Sequence, residues 1–198
     1  MLSETFENTI QHFQSGGIVM PALLISSLFM WLLIFMKAFQ FVQIRKSEVS
    51  FEECMEGFRA GTHVGAAWQK DVMQFARESI FLSGKYRNRM LNSYLSTVTS
   101  GISQHVNTVL ILASAAPLFG LFGTVSGMID TFNVISYYGT GNPRAMASGI
   151  SVALVTTQAG LVVAVPGLVM GSFLRRRASV TQDRIHLFGH MLIKELEK

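Results

Sequence analysis

Ala145-Met-Ala-Ser-Gly-Ile-Ser-Val-Ala-Leu-Val-Thr-Thr-Gln-Ala-Gly-Leu-Val-Val-Ala-Val-Pro-Gly-Leu-Val-Met-Gly-Ser-Phe-Leu174 contains no Asp, Glu, Lys or Arg and stops at Arg175-Arg176-Arg177. A helix of about 20 residues crosses roughly 30 Å of hydrocarbon, so this run is long enough to span a bilayer. The arginine triplet marks where it leaves. Two other runs read the same way. Between Glu7 and Lys37 there is no charged residue, and from Val106 to Tyr138 the one charge is Asp130. These runs predict an all-α membrane protein with transmembrane helices over 17–39, 106–138 and 145–174.

Composition agrees. Of 198 residues, 49% are hydrophobic and only 14% charged, against about a quarter charged in soluble domains. Mean hydropathy is +0.38 although the stretch from Arg45 to Arg89 is polar, so the apolar residues are concentrated in the spans. Residues 1–17 lack the basic start of a cleaved signal peptide, so the first span is expected to be retained. Of the sixteen Lys and Arg, none precedes the first span, nine lie from Lys37 to Arg89, one is Arg144 and six follow the third span. The positive-inside rule then predicts an N-terminus on the outer side, a cytoplasmic loop, a short outer loop over 139–144 and a cytoplasmic C-terminus. The net charge of +4 is accounted for by these flanks, and no nucleic-acid partner is expected.

Between the spans, Leu2, Phe6, Ile10 and Phe13 predict an amphipathic helix on the outer face over 1–16. Residues 40–105 read as a cytoplasmic helical region with turns at Gly61 and Ser83-Gly84. The stripe Leu91, Leu95, Val98, Ile102, Val106, Leu110 runs without a breaker into the second span, predicting one helix from Arg87 to Tyr137 of about 75 Å at 1.5 Å per residue. Half of such a helix stands outside the bilayer with an apolar stripe, which calls for partner helices or sister subunits. Residues 175–198 continue as an amphipathic C-terminal helix.

Projected at 100° per residue, the second span carries Ala113, Ala116, Gly120, Thr124, Gly127 and Thr131 on one side. The third carries Gly149, Ala153, Thr156, Gly160, Ala164, Gly167 and Gly171, with Thr157 at the edge. Small residues let helix backbones approach in lipid, which gives the glycines and alanines a packing role. For Thr124, Thr156 and Thr157 two roles stand side by side, a hydroxyl satisfied on its own helix or the lining of a narrow wet path. Pro117 and Pro166 kink the spans, as fixed bends or as hinges. Asp130, roughly 13 Å from the turn at Gly139, is either a structural group near the head groups, facing Arg144, or part of an ion path. The first and third spans hold no acid or base, so a proton path through this chain needs a carboxylate from another subunit.

Several chemistries find no support. Gly120 to Gly127 is glycine-rich but lacks the Gly-Lys-Ser/Thr of a phosphate loop. His186 and His190 are four apart without a third ligand, the single Cys54 forms no cysteine cage, and no nucleophile-base-orienter set assembles. Neither enzyme activity, metal nor cofactor is expected. A self-contained transporter is disfavoured because no inverted repeat or buried charge marks a midplane site.

The segment Ala116-Pro-Leu-Phe-Gly-Leu-Phe-Gly-Thr-Val-Ser-Gly-Met-Ile-Asp-Thr-Phe132, followed by Gly149-Ile-Ser-Val-Ala-Leu-Val-Thr-Thr-Gln-Ala-Gly-Leu-Val-Val-Ala-Val-Pro-Gly167, closely resembles the ExbB/TolQ/MotA proton-channel family, nearest ExbB. The likeness is detailed over about residues 85 to 175. It implies a bacterial inner-membrane protein forming a ring, commonly a homopentamer, around a dimer of an ExbD/TolR-like single-span protein that bears a membrane aspartate. Proton motive force then drives a motion passed to a TonB-like protein for outer-membrane transport. The resemblance implies that Thr124 and Thr157 are the pore-facing threonines. One position departs: Val152 stands where ExbB and TolQ relatives usually carry a glutamate, so that carboxylate's role does not carry over. A TolQ-like envelope motor and a non-conducting membrane scaffold are the alternative readings, and the short cytoplasmic loop disfavours a MotA-like stator.

Overall fold

The computed structural model describes residues 16–197 apart from Ile18, His63, Leu82, Thr140 and Gly141; the helix expected over 1–16 lies, Gly16 excepted, outside them. The described residues form six helices and no strand: α1 (Val19–Ser47), α2 (Phe51–Ala60), α3 (Ala67–Glu78), α4 (Gly84–Ser103), α5 (Val106–Tyr138) and α6 (Pro143–Leu196). Three of them are long and apolar enough to cross a membrane. In hydrocarbon every backbone polar group must be satisfied internally, and a helix does this within one segment.

The chain divides into two compact units. The first comprises residues up to Ile34 together with Thr108–Ser172. Its core is Val19, Met20 and Leu23 of α1 against Ala116 of α5 and Ala164 of α6. Its outer surface is apolar, with Ile25, Leu28, Leu121, Phe122, Leu154 and Val162 all exposed, the inverse of a soluble protein. Helix α6 starts on an Asn-Pro pair: Asn142 Oδ1 accepts from the Ala145 N–H at 3.1 Å, and Pro143 occupies the first helical position, where its missing donor costs nothing. α5 and α6 both continue through their prolines, Pro117 and Pro166.

The second unit comprises Phe35–Asn107 and Phe173–Lys198. Ser50 caps α2 by accepting from the Glu53 N–H at 3.3 Å, with Glu52 and Glu53 suited to the positive helix end. Gly61, at φ +81°, ends it: the Thr62 N–H donates to the Gly57 carbonyl at 2.8 Å and the Gly61 N–H to that of Phe58 at 3.3 Å. This 6→1 and 5→2 pair is a Schellman turn. Gln69, 1% exposed, ties the start of α3 to the loop after α1. Its Oε1 accepts from the N–H groups of Ala66 at 2.9 Å and Val49 at 3.2 Å, and its Nε2 donates to the Val49 carbonyl at 2.9 Å.

Phe188 of α6 receives both Phe51 and Trp68 edge-to-face with centroids 5.2 Å apart, while Phe75 stacks on Tyr94 at 4.3 Å. Arg87 donates to the terminal Leu196 carbonyl at 2.8 Å, a cation at the negative end of α6. Cys54 is buried, and burial together with the neighbouring Glu53 pushes its thiol pKa up. It is thus a packed side chain rather than a reactive one.

The unbroken helix expected from Arg87 to Tyr137 is corrected. α4 ends at Ser103, and the chain passes through an extended Gln104 and a left-handed His105 (φ 67°) before α5 begins at Val106. No glycine or proline marks the place. Ile102 and Val106 are both buried and four apart, so the apolar spacing runs across the break as it would along one helix.

Candidate functional site: the α5–α6 seam

Within the first unit α5 and α6 run antiparallel and meet backbone to backbone. A Cβ on Gly160 would stand 2.8 Å from the Ala116 carbonyl oxygen and 3.2 Å from the Gly120 Cα; one on Gly127 would stand 2.7 Å from the Gly149 oxygen. One on Gly167 would meet Ala113 Cβ at 3.0 Å and the thioether of Met30 from α1. The contacts descend one helix as they climb the other, from Gly127 with Gly149, through Gly120 with Gly160, to Ala113 with Gly167. Small residues permit such an approach, and at Gly120, Gly127, Gly149 and Gly160 the atoms that would meet a Cβ include backbone.

The threonines separate. Thr156 is 0% exposed, and its hydroxyl donates to the Val152 and Ala153 carbonyls, each at 3.0 Å. It sits opposite Gly123, where a Cβ would collide with it. In this chain Thr156 thus packs within the seam with its hydroxyl satisfied on its own helix, the first of the two roles read from the sequence. Thr157, half-buried, turns its hydroxyl towards the Gly120 carbonyl at 3.5 Å and the Ala153 carbonyl at 3.3 Å. Thr124 lies off the seam, half-buried, donating to the Leu121 carbonyl at 2.6 Å. Gly123, which the angular projection missed, takes the seam position instead; Ala116, Gly120, Gly123 and Gly127 keep spacings of four, three and four that could have revealed it. Thr131, 4% exposed, donates to the Gly127 carbonyl at 2.9 Å and fills the space beside Gly149.

Both half-buried hydroxyls, Thr124 and Thr157, spend their proton on a backbone carbonyl and so present acceptor lone pairs. Asp130 is exposed, and among the described residues it forms no ion pair with Arg144. Val152 is half-buried with its methyl 3.7 Å from the point where a Cβ on Gly17 would stand, an apolar contact near the start of α1. His186 and His190 are both exposed on α6. The seam can fix two helices rigidly and offer hydroxyl acceptors at its edge, but Asp130 is the one carboxylate in the described part of this unit.

The profile of the MotA/TolQ/ExbB proton channel family matches residues 74–186, more than half of the chain and the whole of the seam. The chain belongs to this family. Within the MotA/TolQ/ExbB family it is similar over nearly its full length to an ExbB-like biopolymer transport protein of Helicobacter pylori strain J99, 25% identical across 87% of this chain and 89% of the relative. The biopolymer transport protein ExbB of Neisseria meningitidis serogroup B is 24% identical across 91% of this chain and 93% of its own. The ExbB of Pseudomonas putida is 30% identical over 175 residues, 80% of this chain and 53% of that protein. These names place the chain nearest ExbB, as a multi-pass membrane protein of a proton channel and motor family rather than of an enzyme class.

Proposed function

We propose that the chain is an ExbB-like subunit of a proton-motive-force-driven motor in the bacterial inner membrane. Copies of it form a homopentameric ring around a dimer of an ExbD/TolR-like single-span protein, and the assembly energises a TonB-like protein for outer-membrane transport. Thr124 and Thr157 line the proton path, and the partner supplies the titrating aspartate. The observation carrying this reading is the pairing of acceptor hydroxyls at the edge of a rigid seam with the scarcity of acid in the same unit. Threonines alone carry no proton across a membrane, but they can hold a neighbour's carboxylic acid by accepting its hydrogen bond.

The test is native mass spectrometry of this chain expressed with a single-span aspartate protein, followed by proton flux in liposomes. About five copies retaining two partner chains, with flux lost in Thr157→Val, is the expected result; flux unchanged in Thr157→Val removes the lining role. A second reading, a non-conducting scaffold, is favoured by one residue, Val152 in place of the family glutamate. A defined ring that captures no partner and passes no protons would establish it.

A further inference from the structure

Within the second unit, Lys37 is 4% exposed, yet none of the described carboxylates pairs with it. Its ammonium has three donors and two protein acceptors, Gln40 Oε1 at 2.9 Å and the Ile102 carbonyl at 3.4 Å. Both acceptor residues line one cavity of about 630 Å³, together with Gln43, Ser47, Trp68, Lys70 and others. A buried cation is ordinarily matched by an anion, because desolvating an unpaired charge is costly. Lys37 does not itself line the cavity, whose wall mixes these polar groups with Ile44, Ala67 and Val98; its ammonium is joined to that wall through Gln40 and the Ile102 carbonyl.

The cavity wall is rich in donors. Gln40 gives its oxygen to Lys37, which leaves its amide N–H groups to donate elsewhere. Trp68, 6% exposed, also lines the cavity, with its indole N–H buried and without an acceptor among the protein groups. Lys70 adds a second ammonium. Asp71 is the single carboxylate on the wall, so with Lys37 behind it the site keeps an excess of one positive charge. The charge-free run of α1 ends at Met36, and Lys37, Gln40, Gln43 and Ser47 follow it, a polar series of the kind found where a span leaves the hydrocarbon.

We propose that this cavity binds a phosphate-bearing anion, the phosphodiester of an acidic lipid head group, with Lys37 supplying the charge and the Gln40 amide and Lys70 supplying donors. Free phosphate shares this chemistry and is separated by experiment. The inference concerns a site distinct from the α5–α6 seam and does not depend on the proton path.

The test uses the full chain, purified as its native oligomer in a non-ionic detergent and carrying Trp31→Phe, so that Trp68 is the sole indole. Trp68 fluorescence is titrated with dihexanoyl phosphatidylglycerol and, separately, with inorganic phosphate. A saturable change with the lipid, weakened at least tenfold by Lys37→Met and retained in Lys37→Arg, is the expected result. Saturation by inorganic phosphate at the same concentrations assigns the site to free phosphate. No saturable change with either, or an unaltered response in Lys37→Met, overturns the proposal. Should Lys37→Met fail to assemble, Lys70→Gln on the exposed side of the cavity decides: a several-fold weaker response supports the site, and an unaltered one overturns it.

Discussion

The carbonyl oxygen of Ala116 occupies the place, 2.8 Å away, where a Cβ on Gly160 would need room. The obstacle is backbone, which cannot rotate aside as a side chain can. Gly160→Ala therefore forces α5 and α6 apart, at a cost of about 1–3 kcal/mol by analogy with overpacked cores. Thermal unfolding of the detergent-solubilised protein should show a lowered midpoint, with Gly160→Val lower still. An unchanged midpoint in both variants would mean that the helices do not meet as described.

Thr156 and Thr157 are adjacent but should respond differently to loss of the hydroxyl. Thr156→Val removes a group bonded only to its own helix, so stability should change by less than about 1 kcal/mol and proton flux should be retained. Thr157→Val should abolish flux while leaving assembly intact. Paired flux measurements in liposomes, with assembly checked by native mass spectrometry, distinguish the two; equal loss in both would place Thr156 on the path beside Thr157.

Gln69 is a cross-brace whose removal strands three backbone groups. Gln69→Leu leaves the N–H groups of Ala66 and Val49 and the Val49 carbonyl without this partner, costing about 2–3 kcal/mol after partial rescue by water. Hydrogen exchange should rise first at residues 49 and 66, before any change in the apolar unit. Protection that is unaltered there would show the brace to be redundant.

Phe188 is the shared partner of two rings, so Phe188→Ala removes two edge-to-face contacts at once. The expected loss is about 3–5 kcal/mol for an aromatic truncation in a core. Trp68 emission should shift to the red as its environment opens, and a spectrum identical to that of the parent would contradict the packing.

Cys54 gives a pH-dependent signature. Burial and Glu53 raise its pKa above the ordinary thiol value of 9.0, so the folded state keeps the neutral thiol longer than the unfolded state does. The associated stability is fully present below the unfolded pKa and is lost as pH rises from there through the folded value. Between those values the unfolding midpoint of the parent should fall more steeply with pH than that of Cys54→Ala, and a thiol reagent should label the folded chain far more slowly than the unfolded one.

What the sequence disclosed and what it withheld follow one physical line. Apolar runs free of charge report burial in lipid directly, and the periodicity of Gly120, Gly127, Gly149 and Gly160 reports a close helix seam, because only small residues permit one. Positions that depend on where a helix stops were hidden. The His105 break leaves no trace in the apolar spacing, and the choice between Gly123 and Thr124 for the seam turns on a rotation smaller than one residue. Lys37 reads as an ordinary flanking cation until the fold encloses it, and Gln69 reads as a surface glutamine until its amide meets Val49 twenty residues away.

The seam has a mechanical consequence. With carbonyl oxygens resting against α-carbons at Gly120 and Gly160, no layer of flexible side chains lies between α5 and α6 to act as a lubricant. Sliding or turning one helix against the other would drive backbone into backbone, so the two behave as a single stiff plank. In the proposed motor, a stroke would have to be taken up at the outer edges of that plank and not along its middle.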